Sequence, residues 1–169
     1  MGWYVLLIAA VGAERSAELV ISRRNLAWSR DRGGAEFGAR HYPTMVALHT
    51  GLLLGCLAEA AGLRRPFIPV LGWPMLAIVL AAQGLRWWCI ATLGRQWNTR
   101  VVVIPGAARV TSGPYRFLPH PNYVAVVAEG VALPLVHSAW VTALVFSLLN
   151  GALLRTRIKV ENAALTSLT

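Results

Sequence analysis

Charge is scarce in this chain. Asp, Glu, Lys and Arg make up 14% of its 169 residues, while 56% are hydrophobic, and a soluble globular domain carries about a quarter charged residues. That shortfall excludes an ordinary soluble domain and points to the bilayer as solvent. Acidic residues are the rarer sign, and the net charge is +9. A positive balance attracts phosphates, but the arginines stand in short segments between apolar runs, with no basic helix face and no RNA-binding motif, so nucleic acid is not an expected partner. Cysteine is limited to Cys56 and Cys89, both inside apolar runs, which gives no basis for a disulfide framework or a zinc cluster; no metal site is expected. A Gly-rich dinucleotide turn is missing. The amino-terminal stretch lacks a basic leader region and runs on through Glu14, Arg15 and Glu18, so it reads as a retained helix rather than a cleaved signal. Without repeats, low-complexity linkers or an appended soluble segment, residues 1–169 read as one integral-membrane domain.

What is there is apolar length. A helix rising about 1.5 Å per residue needs roughly 20 apolar residues to cross a hydrocarbon core of about 30 Å. Such runs cover residues 3–22, 44–62 and 67–93, the third bent or entered late because of Pro66, Pro69 and Pro74. The fourth, from Tyr123 to Leu154, is too long for one straight span and short for two. A helical hairpin turning near Pro134 to Ser138 resolves it into helices near 123–136 and 138–160. The expected fold is therefore all-α, a polytopic bundle of about five transmembrane helices ending in a C-terminal hairpin. Arginine is concentrated in residues 23–43, 94–122 and the C-terminal tail, against Arg64 and Arg65 on the other side. Cytoplasmic loops are enriched in Lys and Arg, which makes the 94–122 segment and the C-terminus cytoplasmic.

Ionisable groups inside such runs are costly and usually face a bundle interior or a wet cavity. Glu14 and Glu18 share one face of the first helix, with Arg15 three residues before Glu18 and able to pair with it. Gln83 and Arg86 share a face of the third, and Glu59 and Glu129 lie on the second and fourth runs. Two readings stand open for Glu14, Arg15 and Glu18: a polar pocket between helices, or buried ion pairs that lock packing. On the last helix Asn150, Arg157 and Glu161 fall close to one stripe running from mid-membrane to the cytoplasmic end. Arg157 and Glu161 are also spaced as an ordinary exposed i, i+4 pair.

The segment GPYRFLPHPNY, residues 113–123, packs three prolines, a histidine, an arginine and two tyrosines against the start of an apolar run. Together with RTRIKVENAAL near the C-terminus, it resembles the isoprenylcysteine carboxyl methyltransferase family of integral-membrane enzymes. The signature of that family is G-x-Y-x-x-x-R-H-P-x-Y followed, after a helical hairpin, by R-I-x-x-E-E. Gly113, Tyr115, His120, Pro121 and Tyr123 match the first block, and Arg157, Ile158 and Glu161 the second; Pro119 replaces the arginine and Asn162 the second glutamate. The WNTR and VIPGA segments and the patterns at Glu14 to Leu19, Arg23 to Trp28 and His41 to Pro43 look like a bacterial branch associated with type III polyketide synthases, which O-methylates alkylpyrones or alkylresorcinols.

The resemblance implies S-adenosylmethionine as methyl donor. Its expected contacts are Trp97, Gly113, Tyr115, Arg116, His120, Pro121, Tyr123, Arg157 and Glu161: prolines hold the backbone ready, aromatic faces favour adenine or the sulfonium, and Glu161 takes the ammonium or ribose hydroxyls. The expected partners are membrane lipids and a lipophilic small-molecule acceptor, with Arg15, Gln83, Arg86 and Asn150 as the acceptor's expected contacts. An acceptor already ionised needs no base, whereas an ordinary phenol of pKa about 10 benefits from one; candidates are Glu14, Glu18, His49 and Glu129. Three alternatives stand beside this reading: carboxyl methylation of an isoprenylcysteine-like substrate, an NADPH-dependent lipid reductase, and a non-enzymatic scaffold or transporter. Nothing in the residues indicates an oligomeric state.

Overall fold

A computed structural model describes residues 1–168. Five α-helices run in chain order, α1 Gly2–Arg30, α2 His41–Gly62, α3 Pro69–Leu93, α4 Pro121–Leu135 and α5 Trp140–Leu168. Proline sets two of the starts: Pro69 and Pro121 occupy the first turns of α3 and α4, where the missing N–H has no partner to lose. The hairpin turn falls between α4 and α5, with Ser138 in a left-handed conformation at φ 57°. α1 continues past the expected end at 22, because nothing breaks it before the turn at Gly33, which takes φ 75°.

A two-stranded antiparallel sheet is added to the helices. β1, Ala35–Phe37, pairs with β2, Val101–Val103, with Glu36 opposite Val102. The pairing brings the α1–α2 and α3–α4 connections to one end of the bundle. The C-terminal part of α5 stands at the same end, where Arg157 Nη2 donates to the Thr99 carbonyl at 2.7 Å. At the opposite end Trp3 meets Phe67 edge-on at 5.3 Å, and the Tyr4 hydroxyl donates to the Leu133 carbonyl at 3.0 Å. All five helices feed one core, among them Ile8, Cys56, Val79, Leu133 and Phe146.

Among the described residues three helices are long and apolar enough to cross a membrane: His41–Gly62, Pro69–Gln96 and Trp140–Thr166. This departs from the expectation of five. α1 is long but carries Glu14, Arg15 and Glu18 in its middle, and α4 has 15 residues, about 22 Å of rise. The outward surface is apolar nonetheless: Leu6, Leu54, Val70, Leu80 and Leu148 are all more than half exposed. Water does not favour so much scattered apolar area on every helix, and lipid tails do.

Glu59, costly by position, has a structural reason. Its carboxylate accepts from the Val141 and Thr142 amides at 3.2 and 2.7 Å and from the Thr142 hydroxyl at 2.9 Å. Those amides belong to the first turn of α5, where N–H groups have no partner within the helix. Arg65 closes the arrangement at 2.9 Å. Glu59→Ala is expected to destabilise the protein by about 2–3 kcal/mol, read from the midpoint of denaturant unfolding in detergent, with Glu59→Gln losing less because it keeps an acceptor oxygen.

Candidate active site

The sheet-bearing end of the bundle holds two chambers. The larger, about 650 Å³, lies between the end of α3, β2, the 104–110 loop, the 115–123 segment and the last turns of α5. The smaller, about 260 Å³, lies deeper between α1, α2 and α5. Trp97, Asn122, Tyr123 and Arg157 line both, so the two spaces meet at one wall.

Local sequence explains how that wall is held. Pro121 starts α4 and turns Tyr123 back toward α5, where its hydroxyl donates to Glu161 Oε2 at 2.5 Å. His120 stacks on the Tyr123 ring at 5.4 Å and places Nδ1 3.4 Å from Glu161 Oε1. The hydrogen bond to Glu161 raises the His120 pKa above its ordinary value, against the opposing effect of partial burial. Arg157 and Glu161 do not form the simple i, i+4 pair that their spacing allows. Glu161 faces α4, while Arg157 sits 5.9 Å over the Tyr123 ring and binds Thr99. Asn25 of α1 fixes Trp97 from behind, donating to its carbonyl at 2.7 Å.

Above the smaller chamber the ionisable residues of α1, α3 and α4 form one network. Arg15 binds Glu18 at 2.9 Å and Gln83 Oε1 at 2.9 Å, and lies 3.5 Å from Glu14 and 3.7 Å from Glu129. Gln83 and the Trp87 indole donate to Glu14. Arg86 binds Glu129 at 2.6 Å and has Nε 3.6 Å from Glu18 Oε1. Ion pairing therefore joins Glu14, Arg15 and Glu18, while Arg15 and Glu18 also line the smaller chamber and Glu14 does not.

The expected site residues separate accordingly. Trp97, Tyr115, His120, Pro121, Tyr123, Arg157 and Glu161 line the larger chamber; Arg15, Glu18, His49, Arg86 and Asn150 line the smaller. Gly113, Arg116, Glu14, Gln83 and Glu129 are not on either lining. Gly113 is a packing position at φ 56°, where a Cβ would stand 2.5 Å from Thr92 Oγ1, and Arg116 is exposed beside Phe117. Glu14 and Glu129 are partners of other network members. Asn122, Thr99 and Met45 are lining residues that the sequence reading did not single out. For Asn122 the available signal was a polar side chain inside the 113–123 segment at the foot of an apolar helix.

Residues 75–167, which carry both blocks and the hairpin between them, match the sequence model of the isoprenylcysteine carboxyl methyltransferase (ICMT) family. The chain belongs to that family. It is an integral membrane protein and a methyltransferase, and its methyl donor is S-adenosylmethionine. This methyltransferase is also 37% identical to the uncharacterized protein YpbQ of Bacillus subtilis over 161 residues, 95% of each chain. An uncharacterized protein of Haemophilus influenzae is 26% identical over 166 residues, 96% of this chain and 95% of its own. No solved structure matches it.

The residues of the larger chamber fit the cofactor. Trp97 Nε1, Asn122 Oδ1 and Arg157 Nε are buried without a hydrogen-bond partner, so the shared wall offers two donors and an acceptor to a ligand. Glu161 is an anionic acceptor suited to an ammonium or ribose hydroxyls, and Arg109 on the same lining suits a carboxylate, whereas Arg100 is held by Glu36 at 2.5 Å.

Proposed function

We propose that this methyltransferase methylates an oxygen of a long-chain lipophilic acceptor, an alkylpyrone or alkylresorcinol. In this reading all five helices lie in a bacterial inner membrane, with the cofactor chamber and the C-terminus on the cytoplasmic side. The observation that carries it is the shared wall: a chamber of mixed polarity at the arginine-rich end meets a mostly apolar one between helices at Trp97, Asn122, Tyr123 and Arg157. The orientation rests on the arginines of both connections at that end.

The cofactor, when bound, supplies an electrophilic methyl group on a sulfonium. The chain does the rest. Glu161, braced by His120 and Tyr123, holds the polar half of the cofactor, and the Trp97 and Tyr123 faces favour adenine or the sulfonium charge. Arg15, Arg86 and Asn150 orient the head of the acceptor, while Leu19, Leu53, Leu153 and Leu154 cover the base of its tail. Alignment across the wall accounts for most of the acceleration, because displacement at carbon needs no covalent enzyme intermediate. A transporter would place its polar groups along a path through both halves of the bundle; the two chambers lie toward one end.

The test is calorimetric titration of detergent-purified protein with S-adenosylmethionine and, separately, NADPH, followed by methyl transfer to alkylpyrone, alkylresorcinol and prenylcysteine acceptors in membranes. Saturable binding of S-adenosylmethionine alone, with methyl ethers as products, is expected. Methyl esters of prenylcysteine as sole product would assign the carboxyl-methylating chemistry instead, and a folded sample that ignores S-adenosylmethionine would end the enzymatic reading.

A further inference from the structure

Four residues are candidates for proton acceptor, and their surroundings separate them. Glu14 is occupied by Gln83 and Trp87, and Glu129 by Arg86; neither lines the acceptor chamber. His49 does line it, but its Nδ1 is bonded to the Met45 carbonyl at 2.9 Å and its ring lies edge-on to Phe146 at 5.5 Å. Glu18 is different. It is 3% exposed, lines the chamber, and has one oxygen bonded to Arg15 and the other, Oε1, without a hydrogen bond.

Opposite Oε1, at 3.6 Å, stands Arg86 Nε, equally buried and equally unbonded. An acceptor and a donor left open side by side are costly to bury. One hydroxyl answers both, accepting from Arg86 Nε and donating to Glu18 Oε1. An ionised carboxyl group does not: it has no proton to donate and brings a second negative charge against Glu18.

We propose that Glu18 is the catalytic proton acceptor of this enzyme and that Glu18 with Arg86 selects an acceptor whose hydroxyl is neutral, the alkylresorcinol of the reading above, over one that is already ionised. The proposal rests on the methyltransferase reading above. The hydroxyl proton moves to Glu18 Oε1, which becomes a carboxylic acid, and the charge passes to the acceptor oxygen beside Arg86. A pair from that oxygen forms the bond to the methyl carbon as the carbon–sulfur bond breaks, its electrons remaining on a sulfur that is then an uncharged thioether.

The test compares binding of a medium-chain alkylresorcinol and a fatty acid of matched tail length, without cofactor, near neutral pH. Wild-type protein is expected to bind the resorcinol about tenfold more tightly. Glu18→Gln should shrink that ratio to about twofold, and Glu14→Gln, which removes a carboxylate of the same network away from the chamber, should keep it. With cofactor present, Glu18→Gln should slow methylation about 100-fold near neutral pH and recover as the pH nears the acceptor's own pKa of about 10; a folding defect would not recover with pH. Equal or tighter binding of the fatty acid by the wild type, no saturable binding of the resorcinol, or a Glu18→Gln protein with unchanged preference and rate would overturn the proposal. The wild-type comparison depends on no variant. Binding of S-adenosylmethionine is scored separately, so a protein that binds it without the hydroxyl preference refutes this inference alone, whereas failure to bind it refutes the parent reading.

Discussion

Glu161→Ala is expected to weaken S-adenosylmethionine binding about 100-fold in calorimetric titration. Glu161 is the acceptor on which the larger chamber, the proposed cofactor site, is organised: Tyr123 donates to one oxygen at 2.5 Å and His120 Nδ1 stands 3.4 Å from the other. Hydrogen bonds to a charged group contribute about 1.5–3 kcal/mol each, and removal of this carboxylate takes away its proposed contact with the cofactor and releases the two side chains that shape the wall. A loss smaller than threefold would show that the cofactor is held elsewhere. The same change has a pH signature. Because the pair with Glu161 raises the folded pKa of His120, its contribution to stability is complete below the unfolded value of about 6.5 and fades as pH rises through the folded value. Nuclear magnetic resonance of the His120 ring should report titration above 6.5 in the wild type, and a lower value once Glu161 is neutral.

Arg86→Met should be the most destabilising single change in the charge network, by about 3–5 kcal/mol. The guanidinium is 4% exposed and binds Glu129 at 2.6 Å, with Glu18 at 3.6 Å. Its removal leaves three carboxylates, those of Glu14, Glu18 and Glu129, sharing Arg15 inside a bundle surrounded by apolar surface. A methionine of similar length fills the space and isolates the electrostatic cost. Adding Glu129→Leu should restore most of the stability, since an unpaired buried charge, rather than a lost bond, is the main penalty. Denaturant unfolding in detergent reads both, and equal midpoints for the single and double variants would place the cost in packing.

Much of the site was legible because it is local. Pro121, His120 and Tyr123 are neighbours in sequence, and a proline-started helix turns them together whatever surrounds it. Arg157 and Glu161 lie one turn apart on α5, so their arrival at the same chamber needed only helical periodicity. The carboxylates of α1 were recognisable as costly, but their division of labour was not. Glu14 and Glu18 share a face, yet Glu18 lines a chamber and Glu14 is enclosed by Gln83 and Trp87, which depends on how α1 is rotated against α3. Glu59 was noted only as an expense, because the amides it receives belong to a helix whose start comes some eighty residues later.

Composition and hydropathy by themselves determined that this chain is a helical membrane protein and that its helices are divided by prolines and arginines; the methyltransferase came from the resemblance of two polar blocks to a known family. The first two follow from short-range chemistry, the transfer of apolar side chains into lipid and the fixed dihedrals of proline. The tertiary structure alone decided the pairing of Ala35–Phe37 with Val101–Val103, the sharing of Trp97, Asn122, Tyr123 and Arg157 between two chambers, and the open donor and acceptor at Arg86 and Glu18. Those outcomes depend on the distances between helices far apart in the chain. Hydrogen bonds and ion pairs form or fail over a few tenths of an ångström, a scale on which local sequence carries no information.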